Sequence, residues 1–141
     1  MVQQYRKHPC IVVWSIGNEF KSDQPAARDY VKIAYSLVKS IDDTRLVTFA
    51  SDRHRGKDSI NGVSDLCYDI VDVVAINEYY GWYYGADEDI GPKIDEIHKL
   101  YPDKPIVVSE LGAGAAPDGN IERQKYHSRK NYALDHQCQH L

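Results

Sequence analysis

Four short apolar runs, rich in β-branched residues and nearly free of polar alternation, constrain the fold of this chain more than any other feature. They are Cys10 to Ile16, Leu46 to Ala50, Val71 to Ile76 and Pro105 to Ser109. A strand with one face in water alternates apolar and polar residues, because successive side chains point to opposite faces. Runs that are apolar at nearly every position are strands covered on both faces, as in a parallel sheet.

The segments between the runs predict the helices that a parallel sheet needs. Ala27, Tyr30, Val31, Ala34, Leu37, Val38 and Ile41 recur at spacings of three and four, which predicts an amphipathic helix from Pro25 to Ile41. Ser22 or Asp23 is expected to cap its start, with Pro25 in the first turn. Ile94, Ile97 and Leu100 repeat the pattern over Ile90 to Leu100, which ends before Pro102, and a third helix is expected from about Ile121 to Gln137. Asp52 to Asp69 reads as a loop with at most a short helix. Strands alternating with helices imply right-handed βαβ units, hence an α/β fold. With no repeat, low-complexity tract or linker, residues 1–141 read as one domain.

Composition narrows the function class. With 43% hydrophobic residues the chain can form a core, and a net charge of −4 excludes a general nucleic-acid binder, which needs a concentrated basic face. No apolar run approaches the roughly 20 residues of a membrane span. Met1 to Lys7 leads into no apolar stretch, so no secretory leader is predicted and the cytoplasm is favoured. Cys10, Cys67 and Cys138 are widely separated, without Cys-x-x-Cys spacing, and are expected to be reduced thiols.

Two glutamates stand where chemistry is expected. Glu19 follows the first run with Asn18 beside it, and Glu110 closes the fourth after Ser109. Both positions lie at the carboxyl edge of a parallel sheet, the active face of α/β folds. A solvated strand end or a salt bridge is the plain alternative. Two carboxylates on one face can carry out double-displacement glycoside hydrolysis, one attacking the anomeric carbon and the other protonating the leaving oxygen. The acid must then stay protonated and the nucleophile ionised, which requires different surroundings.

Three motifs carry a family resemblance. His8-Pro9-Cys10-Ile11-Val12-Val13-Trp14-Ser15-Ile16-Gly17-Asn18-Glu19 closely resembles the acid/base signature of glycoside hydrolase family 2. Asn77-Glu78-Tyr79-Tyr80-Gly81-Trp82-Tyr83 is similar to that family's β-glucuronidase-type segment, and Lys104 to Ala113 resembles its nucleophile segment. The resemblance covers nearly the whole chain and implies a partial (β/α)₈ barrel, about strands four to seven with their helices, since a full barrel takes about 250 residues. It makes Glu19 the acid/base and Glu110 the nucleophile. Asn18 becomes a sugar-hydroxyl contact, Asn77 and Tyr79 active-site residues with Tyr79 bonded to the nucleophile, and Trp82 and Tyr83 pocket residues.

The implied reaction is hydrolysis of a terminal β-glycoside with retention and without a cofactor, β-glucuronidase-like, with β-galactosidase as the neighbouring alternative. The competing reading from another class is a truncated, inert product or a non-catalytic sugar-binding scaffold. The implied partners are a carbohydrate and either the remaining barrel strands or a second copy, because an open half-barrel leaves strand edges and an apolar inner face uncovered.

The departures from the family pattern, Lys7, Glu78 and Leu111, remove no catalytic group, although Glu78 can add a third carboxylate. His136 and His140 share i, i+4 spacing near Cys138, but without an acidic ligand they read as a solvated tail, and no metal is expected. Asp52 to Asp58, with Arg53, His54, Arg55 and Lys57, reads as a solvated loop on the active face. Gly112 and Gly114 do not complete a phosphate loop.

Overall fold

The structure, a computed structural model, describes residues 1–53 and 64–112. It begins with a single helical turn, α1 (Val2–Tyr5), followed by β1 (Val13–Asn18), α2 (Pro25–Ile41), β2 (Leu46–Ser51) and β3 (Val74–Glu78). A 3₁₀ turn (Asp87–Asp89) then leads into α3 (Ile90–Leu100) and β4 (Ile106–Leu111). The four strands form one sheet in the order β1-β2-β3-β4, and every neighbouring pair is parallel. This is the arrangement expected of consecutive βα units, and it is the strand order of a segment of a (β/α)₈ barrel.

Both long helices lie on one face of the sheet. Val31 of α2 and Ile97 of α3 are buried in the same cluster as Phe49, Val74 and Ile76, and Val38 of α2 packs with Trp14 and Val47. Fully burying a side chain such as Phe49 is worth about 1.5–3 kcal/mol. By strand alternation the opposite face carries Val13, Ser15, Leu46, Thr48, Ala50, Ala75 and Val107. Val13, Leu46 and Val107 are 42%, 45% and 49% exposed on that face.

Two carboxylates, the buried Asp42 and the half-buried Asp72, fasten the helix layer at the far end of the sheet. Trp14 Nε1 donates to Asp42 Oδ2 at 2.9 Å, and Arg45 and Thr44 also bond Asp42. Asp72 receives Tyr35 Oη at 2.8 Å, Val47 N at 2.9 Å and Lys39 Nζ at 2.8 Å.

Several boundaries differ from the sequence expectation. β1 starts at Val13 rather than Cys10 and runs through Asn18, while β3 starts at Val74 rather than Val71 and runs through Glu78. Val71 is buried but lies in a bend before the strand, so the apolar run reports burial rather than ladder pairing. The expected cap of α2 is also corrected: the N-cap is Gln24, without a side-chain bond, and Ser22 instead turns inward to Asp65. Pro25 does take the first helical turn. The helix expected from about 121 to 137 and the His136, Cys138 and His140 group fall outside the described residues. Among the described residues, no helix is long and apolar enough to cross a membrane, and Cys10 and Cys67 are free thiols.

Candidate active site

Two bulges aim the carboxylates. Between β1 and β2 the register runs Ser15↔Thr48 and then Asn18↔Ala50, so β1 carries one extra residue just before Asn18. Between β3 and β4 it runs Ile76↔Val108 and then Asn77↔Glu110, so β4 carries one extra residue just before Glu110. An extra residue reverses the alternation beyond it. Asn18 and Glu110 are thereby turned to the face of Ala50 and Asn77, away from the helices. Without the bulge, Glu110 would follow Ile106 and Val108 into the helix layer.

Glu19 occupies an unusual backbone position. Its φ is 49°, left-handed space that a residue with a Cβ adopts rarely and at a cost of order 1–3 kcal/mol. Its amide is held by Ala50 O at 2.9 Å. The next residue, Phe20, drives its ring into the helix-side core, 4.9 Å from Phe49 and 5.6 Å from Tyr30.

Asn77 links the two sides of the site. It is fully buried, and its Nδ2 donates to Glu19 Oε1 at 2.7 Å and to Asn18 Oδ1 at 3.2 Å. Both amide protons are therefore used on the β1 side. Asn77 Oδ1 lies 2.7 Å from Ser109 Oγ, which is also 3.0 Å from Ile76 O, so the single hydroxyl proton serves one of these acceptors at a time. Two residues on, Tyr79 Oη donates to Glu110 Oε2 at 2.6 Å. The Tyr79 phenol is pushed up to about 12, first by that bond, then by desolvation and by the charges of Glu110 and Glu19. One hydroxyl thus senses both carboxylates.

Residues 1–140 match the family model described as "Glycosyl hydrolases family 2, TIM barrel domain". The chain belongs to glycosyl hydrolase family 2. Relatives within it include proteins named "Beta-glucuronidase". That of Streptococcus agalactiae serotype V is 34% identical over 124 residues, 83% of this chain and 20% of the relative. The Homo sapiens protein is 35% identical over 119 residues, 80% of this chain and 17% of the relative. Among solved structures, an uncultured Clostridium sp. beta-glucuronidase superposes with a TM-score of 0.66 at 32% identity, over 80% of this chain and 20% of the other. A GH2 beta-galacturonidase from Eisenbergiella tayi bound to galacturonate gives 0.69 at 29% identity, over 90% of this chain and 24% of the other. The chain spans about a fifth of the length of these family 2 relatives.

The remaining sequence-derived residues divide in two. Tyr83 is 53% exposed, its ring 5.3 Å from that of Tyr79. Trp82 is buried and meets Tyr83 at 6.1 Å, so it backs the exposed ring. The turn that delivers this aromatic group needs glycine at Gly85, where φ is +56° and a Cβ would lie 2.4 Å from the Tyr80 ring. Glu78 is fully buried one residue past Asn77, which alternation turns toward the helix layer, away from the other two glutamates. Arg53 pairs with Asp52 at 3.3 Å and Asp23 at 3.8 Å, and residues 54–58 of its loop fall outside the described residues. Among the described residues, no group of three or more acidic, His or Cys side chains can hold a metal.

Two contributors escaped the sequence reading. Ser109 braces Asn77, and Asp65 receives Ser22 and Ser51, the latter at 2.6 Å. A hydroxyl within an apolar run and an acid within a loop carry no spacing signature. A serine directly before a strand-end glutamate was the one signal available for Ser109.

Proposed function

We propose that this chain carries the catalytic carboxylates of a retaining β-glycosidase acting on terminal β-glucuronides. Glu110 attacks the anomeric carbon while Glu19 protonates the departing glycosidic oxygen. Glu19 then takes a proton from water as the water displaces Glu110 from the sugar. The observation that carries the reading is the division of donors at the end of β3: Asn77 bonds Glu19, and Tyr79 bonds Glu110.

Each donor suits one role. Tyr79 stabilises the ionised form of the attacking group, and its raised phenol stays a donor throughout the neutral range. Asn77 orients Glu19 through one oxygen, leaving the other to face a leaving group. Asn18, oriented by the same amide, offers its own amide to a sugar hydroxyl. Tyr83, with Trp82 behind it, supplies the apolar wall against which a sugar ring packs. The mechanism asks for no cofactor, and for carboxyl groups about 5–5.5 Å apart.

A uronide is preferred to a galactoside because the relatives quoted above are named for glucuronide or galacturonide hydrolysis. The galacturonate-bound relative makes β-galacturonides the second substrate class to try. The test uses the complete enzyme that contains this segment, with 4-nitrophenyl β-glucuronide, β-galacturonide and β-galactoside, and follows the first-formed anomer by proton NMR. Fastest turnover of the glucuronide with the β-anomer appearing first is expected. An initial α-anomer would exclude retention, and a faster galactoside would make the enzyme a β-galactosidase.

A further inference from the structure

Behind Glu19, on the helix side of the rim, three polar side chains are packed out of water. Ser22, Ser51 and Asp65 are 0%, 1% and 5% exposed. Ser51 Oγ donates to Asp65 Oδ2 at 2.6 Å, Ser22 Oγ donates to the same oxygen, and Cys67 N donates to Asp65 Oδ1 at 2.7 Å. Burial pushes the Asp65 carboxyl above its ordinary value, and the bonds from Ser22, Ser51 and Cys67 oppose that rise without cancelling it.

The position of the cluster gives it a task. Ser22 lies three residues past Glu19 on the loop that leaves β1, and its carbonyl accepts Leu66 N at 2.9 Å. Ser51 ends β2, next to Ala50, whose carbonyl accepts the Glu19 amide at 2.9 Å. Asp65 therefore ties the loop that carries Glu19 to the strand end that fixes the Glu19 backbone. Glu19 is also the one described residue other than glycine with a positive φ, a conformation that persists only where its surroundings enforce it. Phe20 packing fixes the depth of the loop, whereas the hydrogen bonds to Asp65 are directional and fix its path.

We infer that Asp65 is a positioning residue for Glu19, holding the loop Glu19 to Ser22 against the end of β2 through the hydroxyls of Ser22 and Ser51. The inference rests on the reading of Glu19 as acid/base. A displaced acid harms substrates whose leaving group needs protonation and spares those whose leaving group departs unaided, whereas a general loss of folded enzyme lowers both alike.

The experiment compares Asp65→Asn, Ser51→Ala and Glu19→Gln with the unaltered complete enzyme on aryl β-glucuronides of graded leaving-group acidity. Intact sites are counted by covalent labelling with a 2-deoxy-2-fluoro glucuronide. Expected for Asp65→Asn is a loss in kcat/KM per intact site of about tenfold or more on the poorest leaving group, and less than about twofold on the most activated. Ser51→Ala should move in the same direction by less, and it decides the question by the same slope if Asp65→Asn does not fold. Equal losses across the series in these variants, with a steep series in Glu19→Gln, would overturn the inference and leave the acid/base reading standing. A flat series in Glu19→Gln would overturn both.

Discussion

Asn77 and Tyr79 are the residues on which the account turns, since between them they hold both glutamates. Replacing Tyr79 with Phe removes a hydrogen bond to a charged group, worth about 1.5–3 kcal/mol, so kcat/KM in the complete enzyme should fall about 10- to 100-fold. The loss should be similar for activated and poor leaving groups, because the affected group is the nucleophile. The pH behaviour follows from the phenol, raised from 10.0 to about 12. A raised acid keeps its proton below its ordinary value, so the contribution of Tyr79 is complete below pH 10 and disappears only as pH rises through 12. A kcat/KM profile in which the difference between wild type and Tyr79→Phe varied in the neutral range would contradict this. Asn18, Glu19 and Glu110 were legible in the sequence because strand ends deliver side chains to one rim, and Asn77 and Tyr79 only through the family resemblance of their segment. Ser109 and Asp65 were not, since their partners are distant in sequence and only the folded chain brings them near.

The elements contribute less by existing than by how they are interrupted. The run Cys10 to Ile16 reads as an unbroken strand, yet the usefulness of β1 depends on one extra residue just before Asn18, and Gly17 in that interruption leaves room for Phe20. A Cβ at Gly17 would lie 2.7 Å and 2.8 Å from the Phe20 ring, which Phe49 and Tyr30 confine. Gly17→Ala should therefore cost about 1–3 kcal/mol by overpacking, read as a lowered thermal midpoint of the complete enzyme, with activity lost alongside. Unchanged stability would mean that the ring has room to move. At the opposite end of the sheet, Asp42 is held below its ordinary value of 3.8, chiefly by bonds from Thr44 and Trp14. A lowered carboxyl stabilises the fold above that value and ceases to do so as pH falls through the native one. The gap in urea midpoint between wild type and Asp42→Asn should thus be constant at neutral pH and narrow below pH 3.8. A gap that widened in acid would refute the role. The β3 boundary was misread because hydrophobicity reports burial, and Val71 is buried without being paired in the ladder, whereas the residues misread before β1 include the exposed Cys10 and Val12, whose apolar character reports neither. Strand order and direction were readable, because consecutive βα units leave little topological freedom.

At the scale of the whole molecule, the face opposite the helices presents Val13, Leu46 and Val107 beside a candidate site assembled at its upper rim. Barrel interiors are packed layers of such side chains, so the account expects them to be covered by further strands or by another copy. Expressed alone, the 141-residue chain should elute as oligomer or aggregate in size-exclusion chromatography with light scattering, and hydrolyse no glucuronide. A monodisperse, active monomer would show that the sheet face needs no cover. One of the two glutamates must bond to the sugar, and its identity can be read directly. In the complete enzyme, a 2-deoxy-2-fluoro β-glucuronyl fluoride should lose fluoride to a carboxylate and leave a stable glycosyl ester, and peptide mass spectrometry locates it. The ester is expected on Glu110 and is expected to be absent in Glu110→Gln. An ester on Glu19, or no ester under conditions where the glucuronide turns over, would contradict the account.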